Sequence, residues 1–492
     1  MTPLHDQRAN LADQLALHAR QRPTKTAIVH GERTIDYRTL DLGVRRRAAR
    51  LLDLGVQPGQ IVGVALRDSI EHLLMLYAVA RAGAVILPMD CRWREFEKQR
   101  LASHFGPAAV MVEPGGTFEG ARCVEVGPAW ESAVAGADPD RPFADGDRGF
   151  TLSLSSGTTG RPKGPLVTHA KFFNRFWTHW IDLGFGSRET YLNATPLYFG
   201  GGRAFSLSTL YSGGTVVLFP PPYDGAQLAA ETARTGATVL FLVPTLLRRL
   251  LGDDPAALAP LKHLKTLISS GSPLTAWERK HIREDICPNF IEYYSSTEGG
   301  GVSVLSGEDQ LRYGESVGRA IFGVEVQIVD DDDRVVPAGT VGRVRYRGPA
   351  VADGFYKDPE ASAESFRDGW FSPGDLGALN EEGFLFLKGR AKDMIIRGGV
   401  NIYPQEIEAT LLNDESVADA AVVGWPSKEF DEEVAAFVVP RGQVDAAALV
   451  ALCRTRLAPY KVPREVFLVD ELPRTSLGKI VKAELVKRLP PL

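Results

Sequence analysis

The chain has 492 residues, 44% of them apolar, which at roughly 100–200 residues per domain is enough for two to four separate cores and excludes a disordered tail or a mini-protein. Lys and Arg number 56 against 61 Asp and Glu, a net charge of −5 without long like-charge runs, so no nucleic-acid partner is expected. Cys91, Cys123, Cys287 and Cys453 lie far apart, a spacing that suits neither a disulfide framework nor a zinc site and points to a reducing compartment.

Near the N-terminus the run Leu11 to Ala19 is broken by Asp13, Gln14 and His18, so a secretory leader is not expected. No stretch of about 18 uncharged apolar residues suggests a membrane span. The expectation is a soluble, cytoplasmic protein. Through most of the first 350 residues short apolar strands alternate with helical patterns, the signature of βα units on largely parallel sheets. Glu113 to Arg148, rich in Gly, Ala, Pro and Asp, reads as irregular surface. Phe150 to Leu154 alternates as a strand and opens onto a loop of Gly, Ser and Thr. Phe172, Phe173, Phe176, Trp177 and Trp180, spaced by three and four, predict the packing face of an amphipathic helix.

Val239 to Val243 reads as a strand stopped by Pro244, with a helix over Thr245 to Leu251, and Leu267-Ile268 runs into Ser269 to Pro273. Strand ends that feed such loops are where open α/β sheets place ligands. From Val324 to Arg347 the pattern turns antiparallel, with Asp330 to Asp333 in the turn. That acidic run lacks the spaced ligands of a calcium loop and is read as solvated. Beyond Arg390 follows a unit of roughly 100 residues, the size of an independent domain. It has helices near Pro404 to Leu412 and Asp445 to Leu457, and strands near Ala418 to Val423, Glu433 to Val439 and Glu465 to Val469.

The strongest chemical signal is the loop Ser155-Ser156-Gly157-Thr158-Thr159-Gly160-Arg161-Pro162-Lys163-Gly164. Its glycines let backbone amides converge on anionic oxygens, its hydroxyls add donors and Lys163 supplies a point charge, so it is built to hold phosphates. It is not a Walker A loop, which needs Gly where Pro162 stands. Around Glu298, the residues Tyr294-Ser295-Ser296-Thr297 and Gly299-Gly300-Gly301 have poor strand or helix propensity and favour a functional loop.

These stretches resemble the adenylate-forming superfamily, which includes acyl-CoA synthetases, peptide-synthetase adenylation domains and firefly luciferase. The resemblance spans roughly Thr34 to Lys482, because further motifs follow in the family's order. Tyr294-Ser295-Ser296-Thr297-Glu298 is similar to the Tyr-Gly-x-Thr-Glu segment, whose ring faces adenine and whose Glu approaches Mg²⁺. Ser270-Gly271-Ser272-Pro273-Leu274 is similar to the second adenine-side loop, and Trp370-Phe371-Ser372-Pro373-Gly374-Asp375 to the segment whose Asp grips the ribose hydroxyls. Gly389-Arg390-Ala391-Lys392-Asp393 matches the inter-domain segment, in which Arg390 would contact ribose and Lys392 would be the hinge. Gly398 and Gly399 match the loop that approaches the coenzyme A tunnel. Pro473 to Lys482 resembles the C-terminal motif with its catalytic Lys, here Lys479, whereas Lys482 and Lys487 are read as solvated.

The resemblance thus implies catalytic Lys479, Glu298, Thr158 and Lys163, with Glu298 on the metal side. Nucleotide contacts would come from Ser155, Ser156, Gly157, Thr159, Gly160, Gly271, Ser272, Pro273, Tyr293, Tyr294, Ser295, Thr297, Asp375 and Arg390. Tyr198, Phe199 and Gly200 align with the acyl pocket, although Phe199 stands where many acyl-CoA synthetases carry His. No acid occurs from Thr195 to Tyr211 to pair an ammonium, which disfavours an α-amino acid substrate. Arg203 is a candidate receptor for a second carboxylate.

The implied fold is α/β: an N-terminal ATP- and acyl-binding domain over 1–391 with a β-rich subdomain about 322–390, and a mobile α+β domain over 392–492. The implied activity is an ATP- and Mg²⁺-dependent acyl-CoA synthetase for a fatty or aryl carboxylic acid, passing through an acyl-adenylate to coenzyme A by domain alternation. The alternative acceptor is a carrier-protein phosphopantetheine, and no carrier domain is expected within the thirteen residues after Lys479. Homodimers are common among the related enzymes.

Overall fold

A computed structural model describes residues 9–143, 146, 149–154, 163–427, 430–442, 444–474 and 480–492. Two large sheets build the first 320 residues. The nine-stranded sheet runs, edge to edge, through Arg319–Ala320, Gly300–Ser306, Phe290–Ser296, Thr266–Ser269, Val239–Phe241, Thr190–Asn193, Thr215–Leu218, Thr26–His30 and Arg33–Asp36. The six strands from Phe290–Ser296 to Thr26–His30 are mutually parallel, and antiparallel strands close both edges. Apolar residues on both faces of these strands fit a sheet covered twice by helices.

The second sheet orders Cys123–Glu125, Ala109–Val112, Ile61–Ala65, Val85–Pro88, Gly149–Leu152 and Leu166–Thr168, with only the last strand antiparallel. One apolar cluster joins Val62, Ile86 and Phe150 of this sheet to Ile28, Tyr191 and Val216 of the other, through Leu40, Leu73 and Leu76 of the intervening helices. The expected strand before Pro244 and the helix after it are present as Val239–Phe241 and Pro244–Leu250, the proline at a first-turn position where its missing N–H leaves no bond unmade. The helix His169–Ile181 buries Phe172 and Phe176, so its aromatic face is packing, as its spacing implies.

Glu113 to Arg148 is not wholly irregular. It holds the strand Cys123–Glu125 and the helix Pro128–Ala135, which buries Trp130 and Val134 in the main core. Two apolar residues on one short helix face are too few to show as a period.

Residues 325–390 form an antiparallel sheet, in which Glu325–Val329 pairs with Gly342–Arg347 in the expected hairpin. Its aspartate turn is closed by Asp332 and Arg334 N–H bonds to Asp330 and by the Arg343–Asp333 ion pair, the arrangement of a solvated turn. The last sheet comprises Val400–Ile402, Ile395–Arg397, Asp431–Pro440 and Val417–Ser427, with Glu465–Leu468 parallel on Asp431–Pro440. It has its own apolar cluster, which includes Ile407, Leu411, Val422, Ala436 and Val438, and covers it with the helices Pro404–Leu412 and Ala446–Arg456.

Candidate active site

The strand Gly149–Leu152 delivers the chain into the phosphate loop at the carboxyl end of its sheet. Ser155, Ser156, Gly157, Thr158, Thr159 and Gly160 lie outside the described residues, as does Lys479. Lys163, at the loop exit, sits 5.8 Å from the centroid of Phe355. Pro165 bridges to Phe355, and Tyr356 N–H donates to Gly164 O at 2.9 Å. Upstream on the same segment, Ala352 N–H donates to Glu298 O at 2.9 Å. Residues 352–356 therefore tie the Gly164–Pro165 segment to the turn that carries Glu298.

Glu298 stands at the tip of the hairpin Phe290–Ser296/Gly300–Ser306. The stretch is thus more regular than its composition suggests: Tyr294 to Ser296 end one strand, Gly300 and Gly301 begin the next, and only residues 297–299 turn. The glycines are demanded by close approach rather than by looseness. A Cβ on Gly299 would overlap the Tyr346 ring, and one on Gly301 would come 2.5 Å from Tyr293 Oη. The Ser296 hydroxyl, bonded to Tyr346 Oη at 2.5 Å, also accepts from Gly299 N–H at 2.8 Å.

Tyr294, Asp375 and Arg390 come together. The Tyr294 hydroxyl donates to the Asp375 carboxylate, whose other oxygen lies 2.9 Å from Arg390 Nε. Asp375 and Arg390 are register partners across adjacent strands, which places both side chains on one face. Burial, then Asp375, pushes the Tyr294 phenol well above its ordinary value, so it stays a neutral donor. Arg390 Nη1 also donates to Pro373 O at 2.7 Å. Ser270 Oγ meets Ser295 Oγ at 3.1 Å, which joins the second loop to the same strand end. Gly271, at φ +115°, lets that loop turn, and Gly271, Ser272 and Pro273 are exposed. Thr297 follows at the hairpin tip. Tyr293 is buried and points to the opposite face from Tyr294, with its ring 6.2 Å from Phe205, so the two tyrosines do not share one face.

Phe199 precedes the helix Gly200–Ser212, its ring 6.4 Å from Phe241, which in turn lies 5.1 Å from Phe205. A Cβ on Gly200 would meet nothing within 4 Å. Tyr198 Oη accepts from Arg92 at 3.0 Å. The loop is clamped at Leu197: its N–H donates to Asp68 at 2.9 Å, and its carbonyl accepts from Arg203 at 3.2 Å. Arg203 also donates to Tyr198 O and to Ser153 Oγ, each at 2.9 Å. Its two Nη groups thereby tie the Leu197–Tyr198 segment to Ser153, and its Nε is buried without a hydrogen-bond partner. Burial pushes the Asp68 carboxyl up to about 6, against the lowering effect of the Leu197 N–H.

Lys392 lies in the short turn Ala391–Asp393 that follows Arg390. Gly398 and Gly399, at φ +56° and +81°, form the two-residue turn between Ile395–Arg397 and Val400–Ile402, a conformation that favours glycine at both positions. Lys487 is exposed, as expected, but Lys482 pairs with Glu408 at 2.7 Å and is only 20% exposed, so it is not a solvated lysine. Asp68, Arg175 and Tyr346 escaped sequence reasoning, as did the clamping role of Arg203. The available signal was Arg175, a cation on the apolar face of Phe172, Phe176 and His179.

Among the described residues no group of three acidic, His or Cys side chains could cage a metal ion. A single carboxylate at Glu298 beside a triphosphate fits Mg²⁺, which commonly takes one or two protein carboxylates and completes its shell with phosphates and water.

Fold and cleft together define an adenylate-forming ligase. The chain belongs to the AMP-binding enzyme family: the family's model matches residues 15–356, and the AMP-binding enzyme C-terminal domain matches residues 406–479. Feruloyl-CoA synthase from Amycolatopsis sp is 34% identical over 483 residues, covering 96% of this chain and 97% of that one. The crystal structure of ATP-bound MatB from Rhodopseudomonas palustris is similar at a TM-score of 0.90 and 30% identity, over 98% of this chain and 99% of that one. o-Succinylbenzoate coenzyme A synthetase from Bacillus subtilis, in complex with ATP and magnesium ion, has a TM-score of 0.87 and 26% identity, over 96% and 98%. The protein is an AMP-forming acyl-CoA synthetase, an acid–thiol ligase with ATP, Mg²⁺ and coenzyme A as co-substrates. No helix among the described residues is long and apolar enough to cross a membrane.

Proposed function

We propose that the chain activates an aromatic carboxylic acid and transfers it to coenzyme A, using two lobes, 1–391 and 392–492, that turn about Lys392. The observation that carries the nucleotide half is the joined cluster of Tyr294, Asp375 and Arg390. The half-buried Tyr198 and Phe199 would supply aromatic surface for an aryl group beside the open side of Gly200, with Phe241, Phe205 and Tyr293 packed in the core behind them. The relatives named for feruloyl and succinylbenzoate thioesters favour the same class.

In the first step a carboxylate oxygen of the acid attacks the α-phosphorus of ATP. The new P–O bond forms as the bond to the bridging oxygen breaks, giving acyl-adenylate and pyrophosphate. Asp375 and Arg390 hold the ribose, Thr158 and Lys163 contact the phosphates, and Lys479 balances charge on the leaving pyrophosphate. Glu298 would hold Mg²⁺, which supplies charge neutralisation on the phosphate oxygens when bound. The small lobe then turns, withdraws Lys479 and brings Gly398-Gly399 to the cleft. The thiol sulfur bonds to the acyl carbon, AMP leaves with the anhydride oxygen, and the thiol proton passes to solvent.

The test is AMP release across acetate, long-chain fatty acids, substituted benzoates and cinnamates, with free coenzyme A or a phosphopantetheinyl carrier as acceptor. Aromatic acids with free coenzyme A should give the highest kcat/KM; a preference for acetate or palmitate would refute the acid class. Lys479→Ala should lose adenylation far more than thioester formation from preformed acyl-adenylate, and equal losses would contradict the two-state assignment.

A further inference from the structure

The helix His169–Ile181 turns Phe172, Phe176 and His179 into the core, and Arg175 sits on the same face with 7% of its surface exposed. A guanidinium is unfavourable there unless its donors are engaged. Its Nη2 donates to two successive carbonyls, Thr297 O at 3.1 Å and Glu298 O at 3.0 Å. Its stem lies against Gly300, where a Cβ would come 2.9 Å from Arg175 Cγ, so the hairpin's glycine makes room for this arginine. Burial lowers the pKa of its guanidinium, opposed by Tyr293, Tyr346 and then Glu298, and its Nε is buried without a hydrogen-bond partner.

Hairpin tips are ordinarily the loosest part of a sheet. This one is held from beneath by Arg175 and from its flanks by Ala352 N–H and Ser296 Oγ. We propose that Arg175 is a positioning residue for the Mg²⁺-dependent half-reaction: its grip on the Thr297 and Glu298 carbonyls fixes the turn from which the Glu298 carboxylate reaches the metal side of the triphosphate. This rests on the assignment of Glu298 to that side. Both bonds come from the one nitrogen Nη2, so a lysine ammonium, a point donor on a flexible stem, should replace them only in part.

The experiment is calorimetric titration of Mg²⁺ into protein saturated with α,β-methylene-ATP, which binds without reacting. Arg175→Met keeps the stem and removes the donors, and Arg175→Lys keeps the charge. AMP affinity and thioester formation from synthetic acyl-adenylate are measured alongside. Loss of a partner that orients a metal-binding carboxylate weakens metal affinity by about 10–100-fold. Arg175→Met should fall in that range and Arg175→Lys between it and the parent, with AMP affinity and thioester formation unchanged. Unchanged Mg²⁺ affinity, or Mg²⁺ and AMP affinity falling together, would overturn the proposal. If Arg175→Met does not fold, Arg175→Lys decides by the same criteria. Glu298→Gln separates the two ideas: if it leaves Mg²⁺ affinity unchanged, the reading of Glu298 fails, and if it weakens Mg²⁺ while the Arg175 variants do not, the inference about Arg175 alone fails.

Discussion

Asp375→Asn is the sharpest probe of the nucleotide site. The carboxylate is 8% exposed and held between the Tyr294 hydroxyl and Arg390 Nε at 2.9 Å, so its orientation is set before any ligand arrives. Asn keeps the shape and one acceptor but loses the charge and turns a second acceptor into a donor. Hydrogen bonds to a charged group contribute about 1.5–3 kcal/mol each, so exchanging a bidentate grip on the ribose diol for one neutral bond should cost about 2–3 kcal/mol. At about 1.4 kcal/mol per factor of ten, kcat/KM for ATP should fall roughly 30- to 150-fold. Arg390 is 44% exposed and can turn to water, so the thermal midpoint should barely move. Pyrophosphate exchange measured with ATP and with 2′,3′-dideoxy-ATP isolates the contact. Parent enzyme should lose most of that factor on the dideoxy nucleotide, and Asp375→Asn should lose little more. A variant penalised equally on both nucleotides would show that Asp375 acts elsewhere.

Three further outcomes follow from the same geometry. Asp68 titrates near 6 in the folded chain against an ordinary 3.8, so stability from its proton is complete below about 3.8 and gone above about 6, a difference of roughly 3 kcal/mol. Asp68→Asn, which can still accept from Leu197, should flatten the fall in urea stability between those pH values and raise stability at pH 7; identical pH slopes would refute the assignment. Gly299→Ala forces a methyl into Tyr346 and should cost about 1–3 kcal/mol in denaturant unfolding, with adenylation lost more steeply than stability. Gly200→Leu, placed where nothing stands within 4 Å, should leave the melting temperature unchanged while the largest acids lose kcat/KM first, and an unaltered acid profile would remove Gly200 from the pocket.

Much of this architecture is legible from local pattern. Pro244 after a β-rich run, the three-and-four spacing of the helix aromatics and the glycine pair at Gly398 each record one constraint that acts within a few residues. Asp375 and Arg390 were singled out through the family resemblance of their motifs, and the strand register brings the two together. What stayed hidden depends on long-range approach. Nothing near Gly299 announces that Tyr346 will lie against it, and nothing near Arg203 announces Ser153, fifty residues upstream, as an acceptor. Lys482 looked solvated because its partner Glu408 is distant in sequence, and the helix Pro128–Ala135 hid among glycines and prolines because two buried residues make no period.

Arg390 closes the last strand before the turn that contains Lys392, and it is fastened both to Asp375 and to Pro373 O. The chain is therefore anchored one step short of the point about which the C-terminal lobe would swing, and on the proposed mechanism the anchor is also the ribose clamp. Slack on the Pro373 side of that anchor, with Asp375 intact, should show first as poor timing: acyl-adenylate escaping into solution between the two half-reactions, in an enzyme whose separate steps still run at nearly their normal rates.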